Sequence, residues 1–475
     1  MATRPTAMPR ETPTAVVAGA LAAAALVGAL MTLSVPAGLA ALIGVCYAPL
    51  VMINLRVGLA LWVPLTFLEG LPAFNAGGKA AGLIVALAWI GMGRSLTQWL
   101  GAFVSRHRAI IAALGLYLVW ITLSVAWAAS PGAAARDLWH WYAVALIFLV
   151  VATVAREPAG VRLVMHMFIV GAVFSVLAGE VYGSGSAQLN LAAAESGRLY
   201  GAQGDPNILA AGLIPALVCA AGLFVNTRRF ALRVWLVVAA AILTVGIVSS
   251  QSRGGLVAAA VTLLAALVFV RRRRAHVLVV VLLVAGLAGA TFASTPGAWQ
   301  RITHFDDGNG RSDIWRVALR VGAHEPAIGA GLNNFEVVSG KYVRRPGQLK
   351  TLDLIVDRPH VAHNLYLETY ADTGLVGLVL LLTFIGGCLV AAWSACRRFD
   401  RRGEGELQAL ATAVLVRLIG FLASSTFISA GVDKRLWVLL ALGPALNGYA
   451  IAAERRWPRA VVPAPLPADE LAVAA

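Results

Sequence analysis

The sequence is poor in charge. Lysine, arginine, aspartate and glutamate make up 13% of its 475 residues, where a soluble domain carries about 25%. It is also poor in cysteine, with four, and in histidine, with eight. Cys46, Cys219, Cys388 and Cys396 lie in or beside apolar runs without metal-ligand spacing, so they read as small core residues. Short segments of alternating hydrophobicity are missing too, which excludes a transmembrane β-barrel. What is abundant is apolar: 59% of the residues are hydrophobic, and the mean hydropathy is +0.79.

Crossing a bilayer as a helix takes roughly 20 apolar residues. Apolar runs of that kind fall at 14–33, 37–54, 57–72, 80–97, 109–128, 138–155, 163–180, 206–225, 231–249, 254–270, 275–293, 373–395, 408–430 and 436–452. The chain is therefore expected to be all-α, a polytopic membrane helix bundle of roughly 12–14 spans. The second and third runs are short and broken by Pro36, Pro49 and Pro64, so they read as tilted or re-entrant. The first run follows Arg4 and Arg10, and more membrane-like sequence comes at once; it reads as a retained helix rather than a signal peptide.

The formal charge of +15 would suggest nucleic acid in a soluble protein. Here the positive residues cluster between apolar runs, at Arg4/Arg10, Arg56, Arg106/Arg108, Arg156/Arg162, Arg228/Arg229/Arg233, Arg271–Arg274, Arg397/Arg398/Arg401/Arg402 and Arg455/Arg456. These are every second junction. By the positive-inside rule they are cytoplasmic, which puts both termini in the cytoplasm and argues against a nucleic-acid partner.

Two junctions on the opposite side are long, 181–205 and 294–372, and they divide the chain into helices over 1–293, a large loop over 294–372 and C-terminal helices over 373–475. The large loop holds nine Lys/Arg, nine Asp/Glu and four of the eight histidines, so it adds no net charge but concentrates titratable chemistry on one membrane face. Within it, GNGRSDIWRVALRVGAHEP reads as a helix of about three turns with Ser312 as N-cap and a stripe of Ile314, Trp315, Ala318 and Leu319. Such a helix suits the membrane surface, with Arg316 and Arg320 turned to headgroups or substrate.

Several residues stand out. Arg253, between two apolar runs in SQSRGGLVAA, is either a charge snorkelling to the interface or a fixed anion site that Gly254 and Gly255 leave open to a ligand. Arg311 is either solvated near Asp313 or a phosphate contact, and Arg198 in SGRLYGAQGDPN has the same two readings. Asp205-Pro206-Asn207 reads as a helix start, with Asp205 as N-cap. In PHVAHNLYLETYADTGLVG, His363 stands where the loop re-enters the membrane, as a structural residue or a proton acceptor at neutral pH. His360 and His363 with a carboxylate match no standard zinc set, and Asp306/Asp307 and Asp353/Asp357 are cation ligands or simply solvated. Arginines and a histidine on one face of a lipid-accessible bundle suit an anionic lipid-linked substrate and a proton transfer. Their gathering on one face, with no internal repeat, speaks against a secondary transporter.

The histidine stretch resembles the signature of O-antigen ligases: His363-Asn364, nine residues, then Gly374-Leu-Val-Gly377, with Leu378 where the family often has Gly, Thr or Tyr. GRLYGAQGDPNILA, SQSRGGLVAA, GRSDIWRVALRVGAHEPAIGAGLNNF and STFISAGVDKRLW are similar to the wider ligase/polymerase superfamily. The resemblance implies a glycosyltransferase of the bacterial inner membrane. It would move O-antigen from undecaprenyl pyrophosphate to lipid A–core at the periplasmic face, with no cofactor and no metal. It implies His363 as the essential histidine and Arg253 and Arg311 as the essential arginines, Arg198 nearby, and Asn364, His360, Gly374 and Gly377 in supporting places. Within the superfamily, an O-antigen polymerase or a protein O-oligosaccharyltransferase would use the same donor; the single dominant loop favours a ligase.

Overall fold

A computed structural model of the protein describes residues 14–183, 197–270, 274–294, 310–343 and 361–456. Regular structure among them is helical: α1 (Thr14–Leu33), α2 (Val35–Ile53), α3 (Leu55–Trp62), α4 (Pro72–Ile90), α5 (Arg94–Arg106), α6 (Arg108–Leu123), α7 (Pro131–Val154), α8 (Pro158–Gly183), α9 (Pro206–Asn226), α10 (Phe230–Ser249), α11 (Arg253–Phe269), α12 (Arg274–Ser294), α13 (Arg311–His324), α14 (Phe335–Val343), α15 (Leu365–Arg401), α16 (Gly405–Ser424) and α17 (Lys434–Arg456). Apolar stretches leave no other choice in lipid, where backbone N–H and C=O groups must find partners within their own segment.

Eight of these helices are long and apolar enough to cross a membrane, or nine if the bent pair α4–α5 is one span. Five further apolar stretches are Ala24–Leu33, Gly44–Ile53, Leu55–Phe67, Arg253–Phe269 and Val284–Ser294, of which the first, second and last belong to α1, α2 and α12, helices of 20, 19 and 21 residues. The expected 12–14 spans are reached only by counting these. The run at 80–97 is not one helix: the chain turns by 94° between Ile90 and Arg94, through Gly93 at φ 55°. The short third run likewise ends as a 3-10 turn, Val63–Phe67, with Pro64 at its start.

Several of the basic junctions are tied together by contacts at one end of the bundle. Arg56 pairs with Glu157 at 2.8 Å and Arg162 with Glu406 at 3.9 Å. Arg398 pairs with Glu454, and the Arg156 guanidinium lies 3.7 Å over the Trp99 ring. Helix α7 leads from this end to the other, about 36 Å away for its 24 residues. There Ser130 donates its amide to Asn334 Oδ1 at 2.6 Å, and Ala129 to Ala330 O at 3.2 Å.

At that second end, α13 and α14 form a small domain seated on the first turns of α15, around Ile314, Val317, Ala318, Val321, Phe335, Val338, Ala362 and Ala371. Its first helix differs from expectation. Gly310 at φ 77° precedes it with no side-chain cap, so Ser312 is not the N-cap. The buried stripe is Ile314, Val317, Ala318 and Val321, while Leu319 is exposed. Arg316 reaches Asp313 at 3.3 Å and Arg320 reaches Tyr342 O at 3.1 Å, so both serve the domain itself. The helix packs on α15 rather than lying alone on a membrane surface.

Helix α15 starts at Leu365, eight residues before the expected apolar run, and it breaks once, at Gly374 (φ 66°, ψ −169°). Only glycine holds that backbone region without strain. The break lets the segment after α13 dock: Leu375 donates to Pro326 O at 2.8 Å and Gly331 to Asp372 O at 2.7 Å. A Cβ on Gly374 would stand 2.3 Å from the backbone of Ala327. Gly374→Ala should therefore lower stability by at least about 1–3 kcal/mol, read as a lower melting temperature of the purified protein. Gly386→Ala, which meets open space, should leave it unchanged or raise it.

A candidate active site among helix N-termini

Four helices begin close together at this end: α9, α11, α13 and α15. Each N-terminus carries the positive end of a helix dipole. Asp205 caps α9 and accepts from Asn207 N at 2.6 Å and Ile208 N at 3.0 Å, as the sequence predicts. Ser252 caps α11, accepting from Gly255 N at 3.0 Å, and its hydroxyl donates to Asn207 Oδ1 at 2.8 Å. That contact ties the start of α11 to the start of α9.

The arginines sit on these starts. Arg253 is the first residue of α11, after a turn in which Gln251 takes φ 47°. Arg198 donates Nε to Ser250 O at 3.0 Å, and Leu199 donates its amide to Ser249 O at 2.9 Å, so Arg198 is fastened beside the same turn. Arg311 is the first residue of α13. Burial holds its pKa below the usual arginine range, and Asp205 acts against that shift; the two side chains are therefore neighbours. Arg198 and Arg253 thus stand on the turn tied to the start of α9, and Arg311 lies near enough to Asp205 to feel its charge.

An aromatic wedge joins the arginine side to the histidine side. Phe427 fills the space over Gly254, where a Cβ would stand 2.6 Å from its ring. Its ring lies 6.1 Å from that of Trp315 on α13, and Trp315 Nε1 donates to Ala362 O at 3.1 Å. The next residue is His363, half-buried, with φ 48°. The two glycines after Arg253 therefore admit Phe427 and, at Gly255, the Ala210 side chain 2.8 Å away; they are not bare backbone open to a ligand.

His363 is held from below. Asn364 caps α15, accepting from Tyr366 N at 3.0 Å and Leu367 N at 3.1 Å. Leu365 N donates to Ser425 O and Ile428 O at 2.9 and 3.1 Å, and Tyr366 Oη donates to Leu422 O at 2.8 Å. Glu368 accepts from the Ser429 hydroxyl and from the Ala362 amide. Gly377 admits the Thr373 side chain, 2.0 Å from where its Cβ would be. The two glycines of the signature thus shape α15, while its first two residues reach the site. His360, Asp306, Asp307, Asp353 and Asp357 lie outside the described residues. Among the described residues, no three His, Cys, Asp or Glu side chains are grouped to hold a metal ion.

Residues 238–382 match the family described as O-antigen ligase. No curated protein matches the chain. The match covers about a third of the chain, and that segment is similar to O-antigen ligases; the eight long apolar helices among the described residues fit a multi-pass membrane protein. The matched segment runs from within α10 into α15 and contains Arg253, Arg311, His363, Asn364, Gly374 and Gly377. Arg198 and the 422–429 segment that braces His363 lie outside it.

Sequence reasoning passed over Glu368, Phe427 and Ser429, and took Trp315 only as part of an apolar stripe. Glu368 had one signal, an acidic residue five places after His363 on the first turn of a helix. Removing its carboxylate leaves a buried amide and a hydroxyl without their acceptor, a loss of about 1–3 kcal/mol. Glu368→Ala should lower turnover by more than about tenfold with donor affinity unchanged, and Glu368→Gln should restore most of it. Equal turnover in Glu368→Ala and wild type would remove Glu368 from the support of His363.

Proposed function

We propose that the protein transfers a glycan from undecaprenyl pyrophosphate to a sugar of lipid A–core at the periplasmic face of the inner membrane, completing lipopolysaccharide. The observation that carries this reading is the placement of Arg198, Arg253 and Arg311 around the start of α9, joined through Phe427 and Trp315 to the turn that bears His363. Guanidinium groups and helix N-termini suit pyrophosphate oxygens. Across the wedge stands an imidazole, whose ordinary pKa near 6.5 lets it take a proton at neutral pH.

In the proposed step His363 removes the proton of the acceptor hydroxyl. The hydroxyl oxygen bonds to the anomeric carbon as the bond from that carbon to the pyrophosphate oxygen breaks. Undecaprenyl pyrophosphate departs with the electron pair, and Arg253 and Arg311 stabilise the charge that develops on it. Arg198 holds the turn beneath Arg253. One base and no covalent partner give inversion at the anomeric carbon. The positive-inside rule supports this orientation, since the basic junctions gather at the end opposite the site.

The test is transfer by purified protein, with one lipid-linked donor offered lipid A–core, a second lipid-linked glycan, or a protein substrate. The reading expects product on lipid A–core, with the anomeric configuration inverted by NMR. Product only on glycan or on protein would reassign the acceptor, and retained configuration would rule out direct displacement. His363→Ala should abolish transfer and keep donor binding. Arg253→Ala should weaken donor binding by about tenfold or more, the share of one charge-assisted contact. Near-normal transfer by His363→Ala would end the general-base assignment.

A further inference from the structure

A cavity of about 330 Å³ lies away from the arginines, lined by Trp127, His324, Glu325, Gly329, Lys341 and Tyr342 among others. Its floor is the segment docked on the α15 break: Trp127 Nε1 donates to Ile328 O at 3.2 Å, and Ala129 N to Ala330 O at 3.2 Å. Directly below begins an exposed apolar face. On α15 it is Leu375, Val376, Val379 and Leu382; on α6 it is Leu116, Val119 and Leu123. Leu375 donates its amide to Pro326 O, between the cavity-lining Glu325 and Ile328, and Trp120 of α6 donates to Thr373 O at 2.9 Å. The cavity and the apolar face are therefore continuous.

The chemistry of the lining is mixed. His324 stands 3.8 Å from Glu325 and 5.7 Å, ring to ring, from Tyr342. Lys341 is exposed and has no ion-pair partner among the described residues. The indole of Trp127 packs 5.4 Å from that of Trp120, and paired tryptophans mark the level where bilayer meets water. A basic group beside aromatic rings, a carboxylate for hydroxyls, and an acyl-sized apolar strip below together fit a lipid whose headgroup is a phosphorylated sugar.

We propose that this cavity holds the phosphorylated sugar headgroup of the lipid acceptor, with its acyl chains along α6 and α15; the assignment to the acceptor rests on the function proposed above. The donor's pyrophosphate has its own site at the arginines. From Leu365 to Gly374 the helix climbs about 14 Å at 1.5 Å per residue, so a headgroup at the cavity reaches the His363 level only through intervening sugars. Lipid A bearing a core oligosaccharide has that shape.

The experiment measures glycolipid binding to the full-length protein in nanodiscs of zwitterionic lipid. The probes are lipid A–core, its fully deacylated headgroup, and inorganic phosphate. Lys341→Glu should weaken lipid A–core binding by about tenfold or more, Lys341→Arg should stay within about twofold, and donor binding should be unchanged in both. The deacylated headgroup should bind far more weakly, and phosphate should not displace the glycolipid. Equal binding of lipid A–core by Lys341→Glu and wild type would overturn the proposal, as would full competition by phosphate or the deacylated headgroup. Because binding is read without turnover, a wild type that binds lipid A–core yet glycosylates only another acceptor would sink the proposed function and leave the cavity result standing.

Discussion

The carboxylate of Asp372 accepts three amide hydrogen bonds, from Asn333 at 3.0 Å, Asn334 at 3.0 Å and Phe335 at 2.7 Å. Those amides open α14, so one side chain of a membrane helix supplies the cap of a helix outside it. Asp372 is buried, and so is Asn334, whose side chain in turn holds the start of α7. A buried carboxylate without such donors would be costly; with three amides and a helix N-terminus it is satisfied. This contact fixes the α13–α14 domain to α15. Through the domain it fixes Trp315 against Ala362, and through Ala362 the turn of His363. Arg311 is on the same helix as Trp315, so both sides of the site depend on this junction.

Electrostatics at the site follow from the same geometry. Three arginines and several helix N-termini face one patch, and Asp205 is the acidic side chain named among them; its oxygen also caps α9. Such a patch is a poor place for a cation and a good one for an anion. By contrast, Arg435, which is also buried nearby, is paired with Asp433 and donates to Ile208 O. It braces the start of α9.

Much of this was legible in the sequence. Most apolar runs and the Asp205-Pro206 helix start are local signals that the helices follow, although the run at 80–97 is bent and α15 begins before its run. The bend between Ile90 and Arg94 had a local signal that was passed over, since Gly91, Gly93 and Arg94 interrupt the apolar run there. The roles of Gly254, Gly374 and Gly377 were only partly legible: a glycine announces close approach but not what approaches. Phe427 over Gly254, Trp315 on Ala362 and Asp372 under Asn333–Phe335 join positions 37 to 173 residues apart, and no periodicity encodes such pairs. Ser312 failed as a cap because Gly310 begins the helix two residues earlier, with Arg311 as its first residue.

The central claim is that the arginines at the starts of α11 and α13 hold the donor's pyrophosphate across from His363. The most direct measurement is a structure of the protein with undecaprenyl pyrophosphate bound. The account predicts the two phosphates between Arg253 and Arg311, beside the start of α9, with the glycan-bearing end toward His363. Phosphates bound elsewhere, with Arg253 and Arg311 both turned away from them, would contradict it.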